Sequence, residues 1–428
     1  MKKSRKGGGI LNILPRANGF ARTEQAAIKE LIEDERIVTH FQPIHSVQTR
    51  TILGVEALSR GVNPSDASPI APARLIEESR SAGLWLAMER LMRRTSLETF
   101  RTHFGDQNNS MLLFLNFDPA VFDEGVAGSG HLSRLVASLG INPSRVALEI
   151  IESRVSDTKL LLEFVERHRA LGFLIAVDDV GDGESNLARM ALLKPNILKI
   201  DRSLCSQLAR DYYCRKAVQS LIWFAHQVGA LALAEGLETR EESLIAMELG
   251  ADLLQGYYLG RPTGDMDLLL AQRSLTHDLM GEHQDRTTRR VESSRKRRAS
   301  ERSLLTGIMD RLRGHETGEF DAIAALFLEE CEYLQCIFVL DAAGLQVSRT
   351  HFKKANQEFV NVLTRPAVPG TNHAMKEYYF MMEHTGAPMH LTAPYMSQAT
   401  GDLCVTLSAR FHAKDGLAYI ICLDTNPA

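Results

Sequence analysis

None of the six cysteines, Cys205, Cys214, Cys331, Cys336, Cys404 and Cys422, belongs to a Cys-x-x-Cys pair. A chain of 428 residues is also too large to need disulfide staples. Mostly buried free thiols are expected, with a redox or ligand role left open for Cys331 and Cys336. No apolar run approaches the roughly 20 residues that a membrane span requires, so no membrane insertion is expected. Charge of one sign is not in excess: 49 Lys plus Arg against 53 Asp plus Glu give a formal charge of -4. That balance gives no support to a nucleic-acid binder, and no DNA partner is expected. The opening Met1-Lys-Lys-Ser-Arg-Lys-Gly-Gly-Gly9 is basic, but no apolar segment follows it. Residues 1–21 therefore read as a basic disordered tail and not as a secretory signal, with a cytoplasmic location as the default.

What the chain does have is 44% apolar residues, enough for two domains, and one conspicuous stretch, Phe173-Leu-Ile-Ala-Val-Asp-Asp-Val-Gly-Asp-Gly183. A short apolar run ends there in two adjacent carboxylates and opens into glycines. Neighbouring side chains of a strand point to opposite faces, so such a pair sits where a strand is ending. A parallel barrel carries its chemistry at that end. The same plan recurs in runs ending at Glu56, Asn116, Glu149, Lys199 and Glu235.

In chain order, residues 22–34 fit an amphipathic helix with Thr23 as its cap. Strands are expected at Val38–Pro43 and Ile52–Leu58, close enough for a hairpin. One or two helices follow over Arg74–Thr99, with apolar residues near helical spacing. Strands at Met111–Phe117, Val146–Ile151, Phe173–Asp178, Ile197–Ile200, Leu231–Ala234 and Leu253–Leu259 alternate with helices. Those helices are His131–Leu139, Leu160–Ala170, Leu187–Leu192, Tyr212–Val228 and Glu241–Leu249. Such alternation implies parallel strands with helices outside, and about 240 residues suits a (β/α)₈ barrel. A doubly wound open sheet is disfavoured, because it would gather its polar strand ends near one switch point.

Asp265–Arg273 reads as a final helix. Residues 287–300 are basic and fit a solvated helical linker better than a nucleic-acid or membrane patch. Leu304, Leu305, Ile308, Met309 and Leu312 continue it with helical period, as a signalling helix or a dimer contact. Residues 319–428 read as an α+β domain. It has a helix at Phe320–Glu330, a strand at Gln335–Asp341 and a turn with its partner strand at Ala343–Ser348. Strands at Leu403–Ser408 and Ala418–Leu423 complete it.

The strand-end residues Glu56, Asn116, Glu149, Glu152, Asp178, Asp179, Lys199, Glu235 and Gln255 carry the chemistry. Converging carboxylates repel one another unless a cation joins them. Hard divalent ions such as Mg²⁺ or Mn²⁺ take oxygen ligands, and the clusters of His or Cys that zinc prefers are absent from these positions. Two such ions activate a water and stabilise displacement at phosphorus. A lysine there neutralises charge or holds the water, and a glutamate takes its proton. Residues alone reach metal-dependent phosphoester hydrolysis on a barrel.

The motifs go further. Phe41-Gln-Pro-Ile44, Val55-Glu-Ala-Leu-Ser-Arg60, Leu115-Asn116-Phe117, Leu148-Glu-Ile-Ile-Glu152, Asp178-Asp179, Leu198-Lys-Ile-Asp201, Ala234-Glu-Gly-Leu-Glu238 and Gln255-Gly-Tyr-Tyr-Leu-Gly-Arg-Pro262 occur in that order. Over about residues 25–265 the chain resembles the EAL domain, the bacterial cyclic di-GMP phosphodiesterase. The resemblance implies a modified TIM barrel whose first strand is antiparallel, here within residues 22–270, and hydrolysis of cyclic di-GMP to linear pGpG with two Mg²⁺ or Mn²⁺ ions per site. It places Glu56, Asn116, Glu149 and Asp178 as core metal ligands and Asp179 at the second metal. Lys199 matches the lysine that contacts the water at the metals, Glu235 a metal-site or general-base glutamate, and Gln255 its partner. Glu152 matches the glutamate that braces the loop after Asp178-Asp179, and Glu238 reads as structural. Gln42, Leu58 and Arg60 match positions that hold the nucleotide, and an arginine fork suits a phosphodiester.

The chain departs from the family in that loop, where Val180, Asp182 and Glu184 replace an aromatic, a hydroxyl and an uncharged residue. Ser59 and Gly61 flank the signature arginine in place of Leu and Trp. The loop helps to place the second metal and forms part of the family's dimer contact. The expected activity is therefore slow or conditional, and the alternative is a receptor that binds cyclic di-GMP without turning it over. No Gly-Gly-Asp/Glu-Glu-Phe signature occurs, which argues against a diguanylate cyclase. After a linker at 271–318, residues 319–428 resemble PAS- or Cache-like modules. That implies a ligand pocket or dimerisation platform biasing the barrel, a homodimer, and a small molecule or protein as its partner.

Overall fold

The computed structural model of the chain describes residues 26–105, 110–118, 130–155, 157–183, 186–331, 333–353 and 365–427. They form two compact units that divide between Thr287 and Thr288. The tail at 1–21, Thr23 and Glu184 lie outside the described residues.

In the first unit, helix α1 (residues 26–33) leads into β1 (Ile37–Ser46). The chain turns back into β2 (Thr51–Val62), and the two pair antiparallel with Gln42 opposite Glu56. The short β3 (Pro69–Ile70) lies on the far end of β2. Strands β4 (Leu112–Asn116), β5 (Val146–Ile150), β6 (Leu174–Val180), β7 (Ile197–Ile200), β8 (Leu231–Ala234) and β9 (Leu253–Leu254) then add in parallel from β2 onward. Pairing of β9 with β1, antiparallel through His45 and Leu254, closes eight strands into a barrel. The first strand therefore opposes both neighbours, as the modified TIM barrel requires.

Helices α2 (Pro72–Ser81) and α3 (Trp85–Phe104) are separate, broken at Gly83, whose φ of 68° no helix accepts. Helices α4 (His131–Ser138), α5 (Thr158–Ala170), α6 (Leu187–Leu193), α7 (Arg202–Cys205), α8 (Tyr212–Gln227) and α9 (Arg240–Glu248) follow. Asp157, Asn186, Asp201, Asp211 and Thr239 each accept a first-turn N–H, which is why the helices from α5 to α9 start where they do. The expected final helix is two: α10 (Met266–Ala271) and the continuous α11 (Arg273–Arg313). Among the described residues no helix is long and apolar enough to cross a membrane.

The barrel core is layered by the two-residue period of its strands. Ile44, Phe114, Ala147, Ala176, Ile197, Leu233 and Leu253 form one buried cluster. Their alternates, such as Leu113, Leu148, Ile175, Val177 and Leu198, pack with the helices in another. Gly54 leaves the room that Phe114 uses: a Cβ there would fall 2.9 Å from Phe114 Cε2 and from the Leu112 carbonyl.

The strand expected over Leu253–Leu259 is shorter, ending at Leu254. The backbone turns because Leu237 N donates to Gln255 O at 3.1 Å and Leu237 O accepts from Tyr258 N at 3.1 Å. Gly256 permits that approach, since a Cβ would lie 2.0 Å from Leu237 O. The strand expected to end at Asp178 instead runs on to Val180.

In the second unit an antiparallel sheet is ordered β11–β10–β15–β14–β12, with β13 on β14. Its strands are β10 (Leu334–Asp341), β11 (His351–Phe352), β12 (His390–Leu391), β13 (Tyr395–Met396), β14 (Leu403–His412) and β15 (Ala418–Thr425). Helices α12 (Phe320–Glu330) and α13 (Glu377–His384) accompany it. Residues 343–348 turn back on β10 through an antiparallel Leu340–Gln346 bridge, with Val347 N donating to Val339 O at 2.9 Å and Asp341 N to Leu345 O at 2.8 Å, while the strands that pair with β10 are β15 and β11. Asp341 Oδ1 takes the N–H groups of Ala343 and Leu345, and Ser348 Oγ takes that of Val339, so side chains compete with a ladder. Leu305, Ile308 and Leu312 of α11 are buried against Phe320, Ile337 and Phe411 of their own unit. Those three residues are spent on the core of their own unit, and Leu304 and Met309 are partly buried against it. All six cysteines are free, and Cys205, Cys336, Cys404 and Cys422 are buried.

Phe114 is fully buried inside the barrel. Phe114→Ala is expected to cost about 3–5 kcal/mol, read as a lower urea midpoint at an unchanged slope.

Candidate functional site

Two residues beyond each inward apolar residue stands a polar one: Ala147 leads to Glu149, Ala176 to Asp178, Ile197 to Lys199, Leu233 to Glu235 and Leu253 to Gln255. Phe114 leads likewise to Asn116, while on the reversed β1 the order inverts from Ile44 to Gln42. Strand period alone therefore stacks a polar layer on an apolar one at the mouth.

Lys199 is 1% exposed, and its Nζ lies 2.5 Å from Glu149 Oε1, 2.8 Å from Glu235 Oε1, 3.1 Å from Asp178 Oδ1 and 4.0 Å from Glu56 Oε2. Two amides hold Glu56: Gln255 Nε2 donates to Oε2 at 2.6 Å and Asn116 Nδ2 to Oε1 at 3.0 Å. Gln42 accepts from Gln255 Nε2 at 3.3 Å and donates to Gly260 O at 3.0 Å. The structure thus brings Glu56, Asn116, Glu149, Asp178, Lys199, Glu235, Gln255 and Gln42 together.

Burial would push the Lys199 ammonium down, but the charges of Asp178, Glu149, Glu235 and Glu56 outweigh it and hold it well above the usual range. One cation does not satisfy so many carboxylates. Burial first, then neighbouring carboxylates, push Glu149 well above the carboxylate range and Glu235 up to about 8. Glu149 Oε1 and Glu235 Oε1 face the Lys199 ammonium, while Glu149 Oε2 and Gln255 Oε1 have no hydrogen-bond partner among the described residues. As the side chains stand, no three of the His, Cys, Asp or Glu among the described residues are arranged to grip an ion, and the Lys199 ammonium stands among the carboxylates instead. The donor set itself, carboxylates plus amides with buried oxygens left over, fits a hard divalent cation.

Asp179 is set apart. Its φ of 56° lies in the left-handed region, and its Oδ2 is 3.9 Å from Arg154 Nη2. Burial, then Asp178 and Asp201, raise its pKa to about 6 against Lys199 and Arg154. Glu152 does not enter the mouth: buried behind it, Oε1 accepts Asn186 N–H at 3.0 Å and so braces the segment that follows β6. Arg60 donates to Ser59 O at 2.9 Å, and burial lowers its pKa against the charges of Tyr257 and Glu56. Leu58 lines a cavity of about 260 Å³ that reaches Asn116 and Glu149.

That cavity also holds residues the sequence reading passed over. Glu89 and Arg93 form a buried ion pair on its wall, and the Arg93 guanidinium lies 4.6 Å over the Phe117 ring. Their i, i+4 spacing on an otherwise apolar helix face was the available signal. A second cavity of about 180 Å³ is lined by Gln42, Glu56, Glu235 and Gln255 with Arg202 and Tyr257. Glu238 lines the same cavity and pairs with Arg202 at 2.7 Å.

Fold and site together define a modified parallel barrel with an acidic, lysine-centred mouth. A model of the EAL domain matches residues 25–262, and the chain belongs to that family. It is 28% identical over 244 residues to MucR of Pseudomonas aeruginosa, named a bifunctional diguanylate cyclase/cyclic di-GMP phosphodiesterase, covering 56% of this chain and 35% of MucR. It is 28% identical over 246 residues to PdeB of Escherichia coli, a probable cyclic di-GMP phosphodiesterase, covering 56% of this chain and 46% of PdeB. The chain therefore spans less than half the length of either relative. The structure of Bacillus subtilis YkuI, in complex with cyclic di-GMP and calcium, is similar at a TM-score of 0.74 and 22% identity, covering 94% of this chain and 99% of YkuI. That likeness extends the shared fold into the second unit.

Because the Asp179 pKa is raised above its usual 3.8, to about 6, the group favours the folded state when protonated and loses that contribution as pH rises through about 6. With cations chelated, Asp179→Asn is expected to raise the melting temperature over wild type more at about pH 8 than at about pH 5. Equal gains at both would show that ionisation is not the cause.

Proposed function

We propose that the barrel hydrolyses one phosphodiester of cyclic di-GMP to linear pGpG at two divalent cations, Mg²⁺ or Mn²⁺. The observation that carries this reading is the Lys199 ammonium buried among Glu149, Asp178, Glu235 and Glu56 at the ends of parallel strands. The named activities of MucR and PdeB, and the cyclic di-GMP held with calcium in YkuI, support the substrate and the ion class. When bound, the cations supply Lewis acidity and a nucleophilic water. Glu56, Asn116, Glu149 and Asp178 would hold one ion, and Asp179 the second.

The chain's own groups do the rest. Lys199 orients the attacking water and offsets charge gathering on the phosphoryl oxygens. Glu235 takes the water's proton, a task suited to a carboxyl whose pKa is raised to about 8. Gln255 and Asn116 keep Glu56 in register, and Glu152 steadies the segment behind Asp179. Gln42, Leu58 and Arg60 hold the dinucleotide. The water oxygen bonds to phosphorus, the P–O3′ bond breaks, and O3′ leaves with a proton, which yields the terminal 5′-phosphate of pGpG. The second unit acts as a sensor or dimerisation module regulating a cytoplasmic homodimer.

A second reading, a receptor that binds without turnover, is favoured by the altered Val180-Gly181-Asp182 loop beside Asp179. Incubation with Mg²⁺ or Mn²⁺, followed by separation of substrate from pGpG, decides between them. Turnover is expected, with K199A and E56A each lowering it about a thousandfold or more. Tight binding in Ca²⁺ with no product in Mg²⁺ or Mn²⁺ would establish the receptor.

A further inference from the structure

Arg154 answers to none of the roles above. It ends the turn Glu152–Arg154 just after β5, and its side chain, 61% exposed, lines the cavity that reaches Asn116 and Glu149. Its Nη2 stands 3.9 Å from Asp179 Oδ2. The backbone that carries it is held firmly. Arg189 Nη1 donates to the carbonyls of Glu152 at 2.6 Å and Val155 at 2.8 Å, and Glu152 in turn accepts Asn186 N–H. The turn bearing Arg154 and the segment leaving β6 are thus tied together around Asp179, and the reach of the guanidinium to that carboxylate is set by the fold. Lys199 lies within 4.0 Å of the four inner carboxylates, and Arg154 faces the outer one.

We propose that Arg154 is a positioning residue, a built-in counter-ion of Asp179 that competes with the second divalent cation for that carboxylate. This rests on the reading of Asp179 as the second ion's ligand. A guanidinium keeps its charge at every working pH, so an arriving ion must displace it or bind beside a like charge. An exposed pair at this distance adds little stability, so its removal shows in ion affinity and not in melting. The effect is to set how much divalent cation the barrel needs before its outer carboxylate is engaged.

Calorimetric titration of Mn²⁺ into the full-length, chelator-stripped protein, with bound Mn²⁺ counted by electron paramagnetic resonance, tests this without reference to turnover. Wild type is expected to bind two ions. Arg154→Ala should tighten the weaker by about two- to fivefold and leave the stronger unchanged. Arg154→Lys should restore the wild-type value, both Arg154 variants with unaltered melting temperatures, and Asp179→Asn should remove the weaker ion in either background. Two ions with the weaker unmoved by Arg154→Ala would overturn the proposal and leave the two-ion reading standing, as would equal tightening of both ions. One ion in wild type, indifferent to Asp179→Asn, would overturn the two-ion reading and this proposal with it.

Discussion

A buried ammonium is costly to desolvate unless anions surround it, and a cluster of buried carboxylates is costly unless cations do. Lys199 and its ring of Glu149, Asp178, Glu235 and Glu56 resolve each other's problem only in part. One positive charge faces four acids, and the shortfall appears as raised carboxyl pKa values and as buried oxygens without hydrogen-bond partners. The same shortfall that makes the mouth unstable on its own suits it to hard cations. The neighbouring amides follow from this constraint. Gln255 and Asn116 spend their N–H groups on Glu56, leaving their own oxygens turned elsewhere in a site otherwise short of donors.

What places these groups is the apolar layer beneath them. Phe114, Ala147, Ala176, Ile197, Leu233 and Leu253 fill the barrel, and their mixture of large and small side chains is what a closed interior can hold. Because strand side chains alternate, the next inward position on each strand is committed to the mouth. A register slip of one residue on β5 or β7 would exchange Glu149 or Lys199 for a large apolar neighbour, Leu148 or Ile150, Leu198 or Ile200. Close packing also reaches beyond the strands. Gly256 lets the chain press against Leu237 and so delivers Gln255 to Glu56, a placement any side chain at that position would forbid.

The second unit is organised differently. Its sheet buries one face against the end of α11 and α12, and the other against Tyr378, Tyr379 and Met382 of α13. On that second face Asp424 is 3% exposed and accepts from Thr406 at 2.7 Å, Cys336 at 3.0 Å and Ser397 at 3.3 Å. Burial pushes Asp424 and the surrounding thiols up, which keeps Cys336, Cys404 and Cys422 as inert protonated groups. A polar network this fully bonded specifies a single packing arrangement.

Strand and helix alternation, the polar residue at each strand end and the order of the short motifs were all legible in the sequence, because each depends on periods of two or three to four residues and on local capping. The membership of Glu56, Asn116, Glu149, Asp178, Lys199, Glu235 and Gln255 in one site was legible for the same reason. Local signals did not reveal that Asp179 turns out toward Arg154, or that Glu89 and Arg93 wall the adjoining cavity. Nor did they show that the Leu305, Ile308 and Leu312 stripe is consumed by its own unit, or that β10 pairs along its length with the distant β15 and only through a short bridge with the residues just after it. By itself the sequence determined which residues face inward, since strand period assigns that position by position. Only the tertiary structure decided which charges meet, because distances between strands, and the direction a chain takes on leaving them, depend on packing between residues far apart in the chain.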